Sequence, residues 1–333
     1  MEKRVRSFYI NLKVGNAKLL IDMKTVIITG GNSGLGYHCA LEIARNPDWY
    51  IILACRSTEK AAKAIQDIQK ATDCDRIETM KLDLADLDSI KVFVAQFKER
   101  DLPSLHGLIC NAGVQFIRRQ TYTKDGFDMT FGVNHLGHFF LTNLLLEELA
   151  KPARIVFVSS DTHDSSKTTG MPAPYFRDPH LMAYPQKDAT LKNKSIGEIG
   201  RLAYTTSKLC NILCAYELSR RLNDVSPSSI TVNVFNPGLM PGSGLANDYT
   251  LTAKFVWNNI LPILCRFVPN INTMENAGKA LARLILDEEL SDVTGKYFSG
   301  FNRIDSSQES YDLEKAQKLW EGSEQLIAEV FND

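Results

Sequence analysis

The sequence has almost no charge imbalance: 38 Lys and Arg stand against 39 Asp and Glu over 333 residues, a net charge of −1. Without a basic surplus there is nothing to attract a phosphate backbone, and a nucleic-acid binder is disfavoured. Apolar runs of the ~18 residues needed to cross a bilayer are missing. So are internal repeats, low-complexity tracts and Pro/Gly/Ser-rich linkers that would divide the chain. A disulfide framework is lacking too. The 7 cysteines, Cys39, Cys55, Cys74, Cys110, Cys210, Cys214 and Cys265, are odd in number and scattered, mostly in apolar runs such as IILAC and GLIC. They read as buried thiols of a reducing, cytoplasmic compartment. Metal-ligand spacing is equally thin. Cys210 and Cys214 share a helical face and His135 and His138 lie three apart, but neither pair has two further ligands at zinc-like spacing, so no metal is expected.

What is present is the composition of a folded soluble protein, with 44% hydrophobic and 23% charged residues. Residues 1–22 carry basic side chains but no sustained apolar segment or cleavage site, so they read as an extension rather than a secretory signal. Short, continuous, β-branched runs then recur: Thr25 to Thr29, Tyr50 to Cys55, Ile77 to Leu82, Gly107 to Cys110, Arg154 to Ser159, Ile230 to Phe235, and Tyr297 to Phe298. Continuity rather than alternation is the mark of strands covered on both faces. Between them lie helical patterns at Leu35 to Arg45, Thr58 to Ala71, Leu87 to Lys98, Phe127 to Leu149, Ala203 to Leu222, Met274 to Leu286 and Leu313 to Val330.

The alternation predicts an α/β fold, a single doubly wound parallel sheet with helices on both faces, in one domain over 23–333. Two segments break the pattern. Residues 161–200 hold four prolines and no periodicity, an excursion of the kind that is usually functional. Residues 249–271 are apolar and aromatic, and Phe255, Val256, Trp257, Ile260, Leu261 and Leu264 form a stripe. That stripe fits a substrate cover, a core helix, or a peripheral membrane contact.

After the first strand comes Thr29-Gly30-Gly31-Asn32-Ser33-Gly34-Leu35-Gly36, leading into a helix. Spaced glycines between strand and helix supply a tight turn, a close backbone approach to pyrophosphate and close helix packing. Where NAD-binding versions end the second strand with an acid, this one ends Leu-Ala-Cys and is followed by Arg56. A guanidinium there pairs with a 2′-phosphate, so NADP(H) is expected over NAD(H).

Tyr204 and Lys208 are four apart in a helical segment and share a face. A phenol with an ordinary pKa of about 10 is a poor acid or base near neutrality, and a neighbouring ammonium favours its phenolate. Ser159 and Ser160 end the fifth strand, where a hydroxyl can polarise a substrate carbonyl, and Asn111-Ala112-Gly113 ends the fourth.

With these motifs the chain resembles the short-chain dehydrogenase/reductase superfamily, whose fold is a Rossmann fold. The matching stretches are TGGNSGLG from Thr29, LDL at Leu82 to Leu84, NAG at Asn111, N-H-L-G from Asn134, VSS ending at Ser160, YTTSK from Tyr204 and NPG from Asn236. They stand in the family's order. The resemblance implies a catalytic tetrad of Asn134, Ser160, Tyr204 and Lys208. Tyr204 would be the general acid in reduction and the base in oxidation, and Ser160, the second serine, would hold the substrate oxygen. Lys208 would bind the nicotinamide ribose and tune Tyr204, while Asn134 would hold a water in a proton relay. The cofactor would lie against Gly30, Ser33, Gly34, Leu35, Gly36, Arg56, Asp83, Leu84, Asn111, Ala112, Gly113, Pro237 and Gly238, with Asp83 at the adenine.

Within the superfamily, ACRS, N-H-L-G-H-F, GKYFS near Gly295 and AQKLWEGSEQLI resemble both retinol-dehydrogenase-like enzymes and light-dependent protochlorophyllide reductases. The long gap between Ser160 and Tyr204 resembles the second group. Gly113, Ser160 and Leu239 depart from that group's usual alanine, threonine and cysteine, and SSDTH from Ser159 resembles the first. The expectation is an NADP(H)-dependent oxidoreductase acting between a carbonyl and an alcohol on a small but bulky, apolar substrate. The alternatives are a light-dependent protochlorophyllide reductase and a non-catalytic NADP(H) sensor. Oligomeric state is not legible.

Overall fold

The computed structural model describes residues 23–225, 229–241, 248 and 272–332. The extension 1–22, the cover 249–271 and Cys265 lie outside the described residues.

Eight strands form one sheet in the order β3-β2-β1-β4-β5-β6-β7-β8. They are β1 (Lys24–Thr29), β2 (Trp49–Cys55), β3 (Ile77–Lys81), β4 (Leu105–Cys110), β5 (Leu149–Val158), β6 (Ile230–Asn236), β7 (Tyr297–Ser299) and β8 (Asn302–Ile304). Every pairing from β3 through to β7 is parallel, in register Val26↔Ile51 and Val26↔Gly107 around the central strand. β8 turns back antiparallel on β7, an edge the sequence pattern did not reveal because Asn302 to Ile304 is too short and too exposed to carry an apolar run.

The continuous apolar strands follow from two cores. Val26, Ile28, Ile51 and Leu53 face one side, and Ile27, Ile52 and Leu108 the other. On the first side pack α1 (Gly34–Ile43), α2 (Thr58–Thr72) and α7 (Met274–Leu286). On the second pack α3 (Leu87–Lys98), α4, α6 (Ile196–Val225) and α8 (Leu313–Asn332). Of these, α4 runs through Met129–Phe131, a π turn over Gly132–Leu136 and Gly137–Leu145.

The largest differences from the sequence reading fall at α4, β5 and α6. α4 starts at Met129, where Asp128 caps it by accepting from the Thr130 and Phe131 amides. Leu149 opens β5 instead of closing that helix.

The excursion ends at residue 195 rather than 200, because Ser195 and Glu198 form a reciprocal capping box that starts α6 early. Nor is it loose. It contains α5 (Pro179–Ala183) and three 3₁₀ turns, buries Met182, Ala183 and Leu191, and holds a buried Arg177 and Asp188 ion pair.

Candidate active site

The order of strand addition reverses between β1 and β4: from β1 the sheet grows through β2 and β3, and from β4 it grows the other way. At such a switch point the loops diverge and leave a crevice beyond the carboxyl ends of the strands. A cavity of about 1350 Å³ opens there, large enough for a dinucleotide with a substrate beside it.

The glycine loop forms one wall. Gly30 has φ +66°, which only glycine adopts without strain. Gly36 is buried behind the wall, where a Cβ would lie 2.6 Å from Asn111 Nδ2 and 2.7 Å from the Gly30 carbonyl. Its bare backbone lets α1 close on the loop. Ser33, the residue before α1, makes no side-chain cap, and no acid occupies the first turn. By contrast Ser57, Asp86 and Thr273 cap α2, α3 and α7. The first amides of α1 therefore have no side-chain cap, and Ser33, Gly34 and Leu35 at this end line the cavity, an arrangement that could hold an anion.

Ser33, Gly34, Leu35, Arg56, Asp83, Leu84, Asn111, Ala112, Gly113, Pro237 and Gly238 line the same cavity. Arg56 is exposed at its rim. One Asp83 carboxylate oxygen accepts from the Ala85 amide.

Ser160, Tyr204 and Lys208 also line this cavity. Tyr204 and Lys208 come from α6, and the Lys208 ammonium lies 5.6 Å from the centre of the Tyr204 ring. Its Nζ donates to the Val158 carbonyl at 3.2 Å, and burial pulls its pKa down to about 8. The two serines differ. Ser159 is buried and its hydroxyl donates to the Lys208 carbonyl at 2.8 Å. The Ser160 hydroxyl accepts from the Thr162 amide at 3.3 Å, which leaves its own proton to donate.

Asn134 does not line the cavity. It sits in the π turn of α4, fully buried, and its amide is engaged on three sides: Oδ1 accepts from the Val114 amide at 2.7 Å, while Nδ2 donates to the Val114 carbonyl and to Ser207 Oγ, each at 3.0 Å. It stays near Lys208, for a Cβ placed on Gly113 would lie 3.5 Å from both Asn134 Oδ1 and Lys208 Nζ.

Some supporting residues escaped the sequence reading. The Thr29 hydroxyl accepts from the Asn111 and Ala112 amides at 2.9 and 3.0 Å and pairs with His138 Nε2 at 2.8 Å. His138 Nδ1 faces the Asn134 carbonyl at 3.1 Å, so one imidazole ties the glycine loop to the π turn. Burial lowers His138 to about 4 and His135 to about 3, keeping both neutral. His135 meets Ser323 of α8 at 2.9 Å. Cys210 and Cys214 lie in the core, where burial raises both thiols.

The family profile described as short chain dehydrogenase matches residues 24–172. Human retinol dehydrogenase 13 is 38% identical, over 93% of this chain and 86% of its own length. Pea chloroplastic protochlorophyllide reductase is 34% identical, over 96% and 81%, and the chicken WW domain-containing oxidoreductase 36%, over 92% and 68%. Among solved structures, an uncharacterized protein from Mycobacterium paratuberculosis superposes with a TM-score of 0.65 at 28% identity, covering 93% of this chain and 94% of that one. Levodione reductase shares the fold, with a TM-score of 0.60 at 16% identity over 88% and 99%. By this level of identity along nearly its whole length, the chain belongs to the short-chain dehydrogenase family of oxidoreductases.

Proposed function

We propose that the protein is an NADP(H)-dependent oxidoreductase that interconverts a carbonyl and an alcohol on a bulky, apolar substrate. The observation that carries this reading is the meeting, in one cavity, of an uncapped helix start and Arg56 with Ser160, Tyr204 and Lys208. The nicotinamide cofactor supplies the hydride, and everything else comes from the chain. Gly30, Ser33, Gly34 and Leu35 present backbone to the pyrophosphate, Gly36 permits the close approach, and Asp83 and Leu84 border the adenine. Arg56 is the partner for a 2′-phosphate, since no acid stands at the end of β2 to take ribose hydroxyls. Asn111, Ala112, Gly113, Pro237 and Gly238 wall the nicotinamide end.

The Ser160 proton is directed at the substrate oxygen, because its acceptor side already takes the Thr162 amide. The Ser159 hydroxyl is committed to the Lys208 carbonyl. Tyr204 gives its proton to the substrate oxygen in reduction and takes it back in oxidation, with the Lys208 ammonium favouring the phenolate. Asn134 contributes by tying Val114 to Ser207, the residue before Lys208. Phe116, Met129, Val133, Met171, Leu239 and Met240 give the cavity apolar lining for such a substrate.

Light-dependent reduction of protochlorophyllide is the second reading, favoured by the identity to the pea reductase over 96% of the chain. A panel of retinals, steroids, aliphatic aldehydes and protochlorophyllide with NADPH or NADH, in darkness and under illumination, separates the two. Dark turnover of an apolar aldehyde or ketone is expected, and turnover that requires light selects the second reading. In the same assay Arg56→Glu should weaken NADPH about tenfold or more and leave NADH nearly unchanged. Equal effects on both cofactors remove Arg56 from the 2′-phosphate site.

A further inference from the structure

His163 does not itself line the cavity, yet it is almost fully buried against Ser160, which does. Its Nδ1 lies 2.7 Å from the Ser160 carbonyl oxygen, and its Nε2 accepts from the Ser307 amide at 3.0 Å. An amide can only donate, so Nε2 must present a lone pair. The proton then sits on Nδ1 and is given to Ser160, which fixes a single neutral tautomer. The ring packs on Tyr297 of β7, centroids 5.1 Å apart.

Ser307 is itself anchored. Ser310 Oγ donates to its carbonyl at 2.6 Å, Ser310 and Ser306 hydroxyls meet at 2.6 Å, and Ser306 Oγ pairs with Tyr216 at 2.8 Å. Tyr216 lies on α6, about three turns beyond Tyr204. A chain of short contacts thus joins the loop that carries Ser160 to the helix that carries Tyr204 and Lys208, and His163 is its link to Ser160.

We propose that His163 is a positioning residue for the reaction: its neutral imidazole clamps the Ser160 backbone to the 306–310 segment and so holds the Ser160 hydroxyl in register with Tyr204. The inference rests on the oxidoreductase reading above. Protonation would place an N–H against the Ser307 N–H and open the clamp. Burial opposes that, holding His163 below the ordinary imidazole value; the Ser160 carbonyl, Asp164 and Asp161 pull it back up, and Lys167 pushes it down.

Two measurements test it, one of them independent of turnover. In 15N-histidine-labelled protein, NMR should show, besides His138, a neutral imidazole protonated on Nδ1 that is still neutral below pH 6.5 and is absent from His163→Phe and His163→Gln. A His163 that titrates as a free imidazole, or carries its proton on Nε2, overturns the clamp whether or not an enzymatic substrate is known.

For turnover, His163→Phe keeps the ring but neither hydrogen bond. It should lower kcat about 10- to 100-fold, with the NADPH Kd within about twofold of wild type. His163→Gln, which has one donor and one acceptor, should recover part of the loss. Unchanged kcat in a folded His163→Phe, or kcat and NADPH affinity falling in parallel with Tm and no recovery in His163→Gln, overturns the positioning role. A wild-type chain without carbonyl or alcohol turnover defeats the oxidoreductase reading instead, and the NMR result then still decides the clamp.

Discussion

Lys208 is a cation held in a place that costs stability. Burial brings its pKa from 10.5 to about 8, so the unfolded chain binds this proton more tightly than the folded one does. Stability therefore rises as pH climbs from about 8 to about 10.5, and below pH 8 the cost is present in full, about 3 kcal/mol. Lys208→Met removes it. Urea unfolding at pH 7 should show the variant more stable by up to about 3 kcal/mol, with the difference shrinking to less than half by pH 9.5, while turnover is lost. A variant less stable than wild type at pH 7 would show that the Val158 carbonyl bond outweighs the burial.

At this scale the residues that meet at the cavity were legible because their spacing is local: Tyr204 and Lys208 are four apart, and Gly30 to Gly36 is one loop. Thr29, His138 and His163 were not, since each works through partners 109 or 144 residues away. Local pattern carries no record of such pairs.

Elements were legible where apolar period decided them. The apolar centres of β1 to β7, together with α3 and α7, lie where the runs and the 3.6-residue spacing put them, because they are buried. The start of α6 was hidden inside residues 161–200, whose four prolines and missing periodicity set the stretch apart. Gly200 is there for contact: a Cβ would stand 1.9 Å from the Phe116 carbonyl oxygen. The capping box of Ser195 and Glu198 was the available signal, outweighed by the prolines before it.

Phe116 lies on the loop from β4 that lines the substrate end of the cavity, so this glycine couples helix packing to the site. Gly200→Ala must push two backbones apart. It should cost about 1 to 3 kcal/mol in chemical denaturation and raise the KM for substrate more than that for NADPH. An alanine variant with wild-type stability and KM would mean that the Phe116 loop moves freely.

At the scale of the whole molecule, function follows from topology. Two halves of one sheet wind in opposite directions from β1 and β4, and the crevice between them receives the glycine loop from one side and Asn111 to Gly113 from the other. β5 and α6 then bring Ser160, Tyr204 and Lys208 to the same space. The near-zero net charge agrees with a protein whose one anionic partner is a dinucleotide held by local groups. In the proposed function that arrangement separates two jobs, cofactor binding by backbone and Arg56, and proton transfer by Tyr204. Tyr204→Phe takes away a single hydroxyl and tests the separation directly, by NADPH fluorescence titration alongside turnover of the best substrate in the panel. The expected result is an NADPH Kd within about twofold of wild type and turnover reduced by about 10²- to 10⁴-fold. Turnover that survives in the phenylalanine variant would contradict the assignment of Tyr204 as the proton donor.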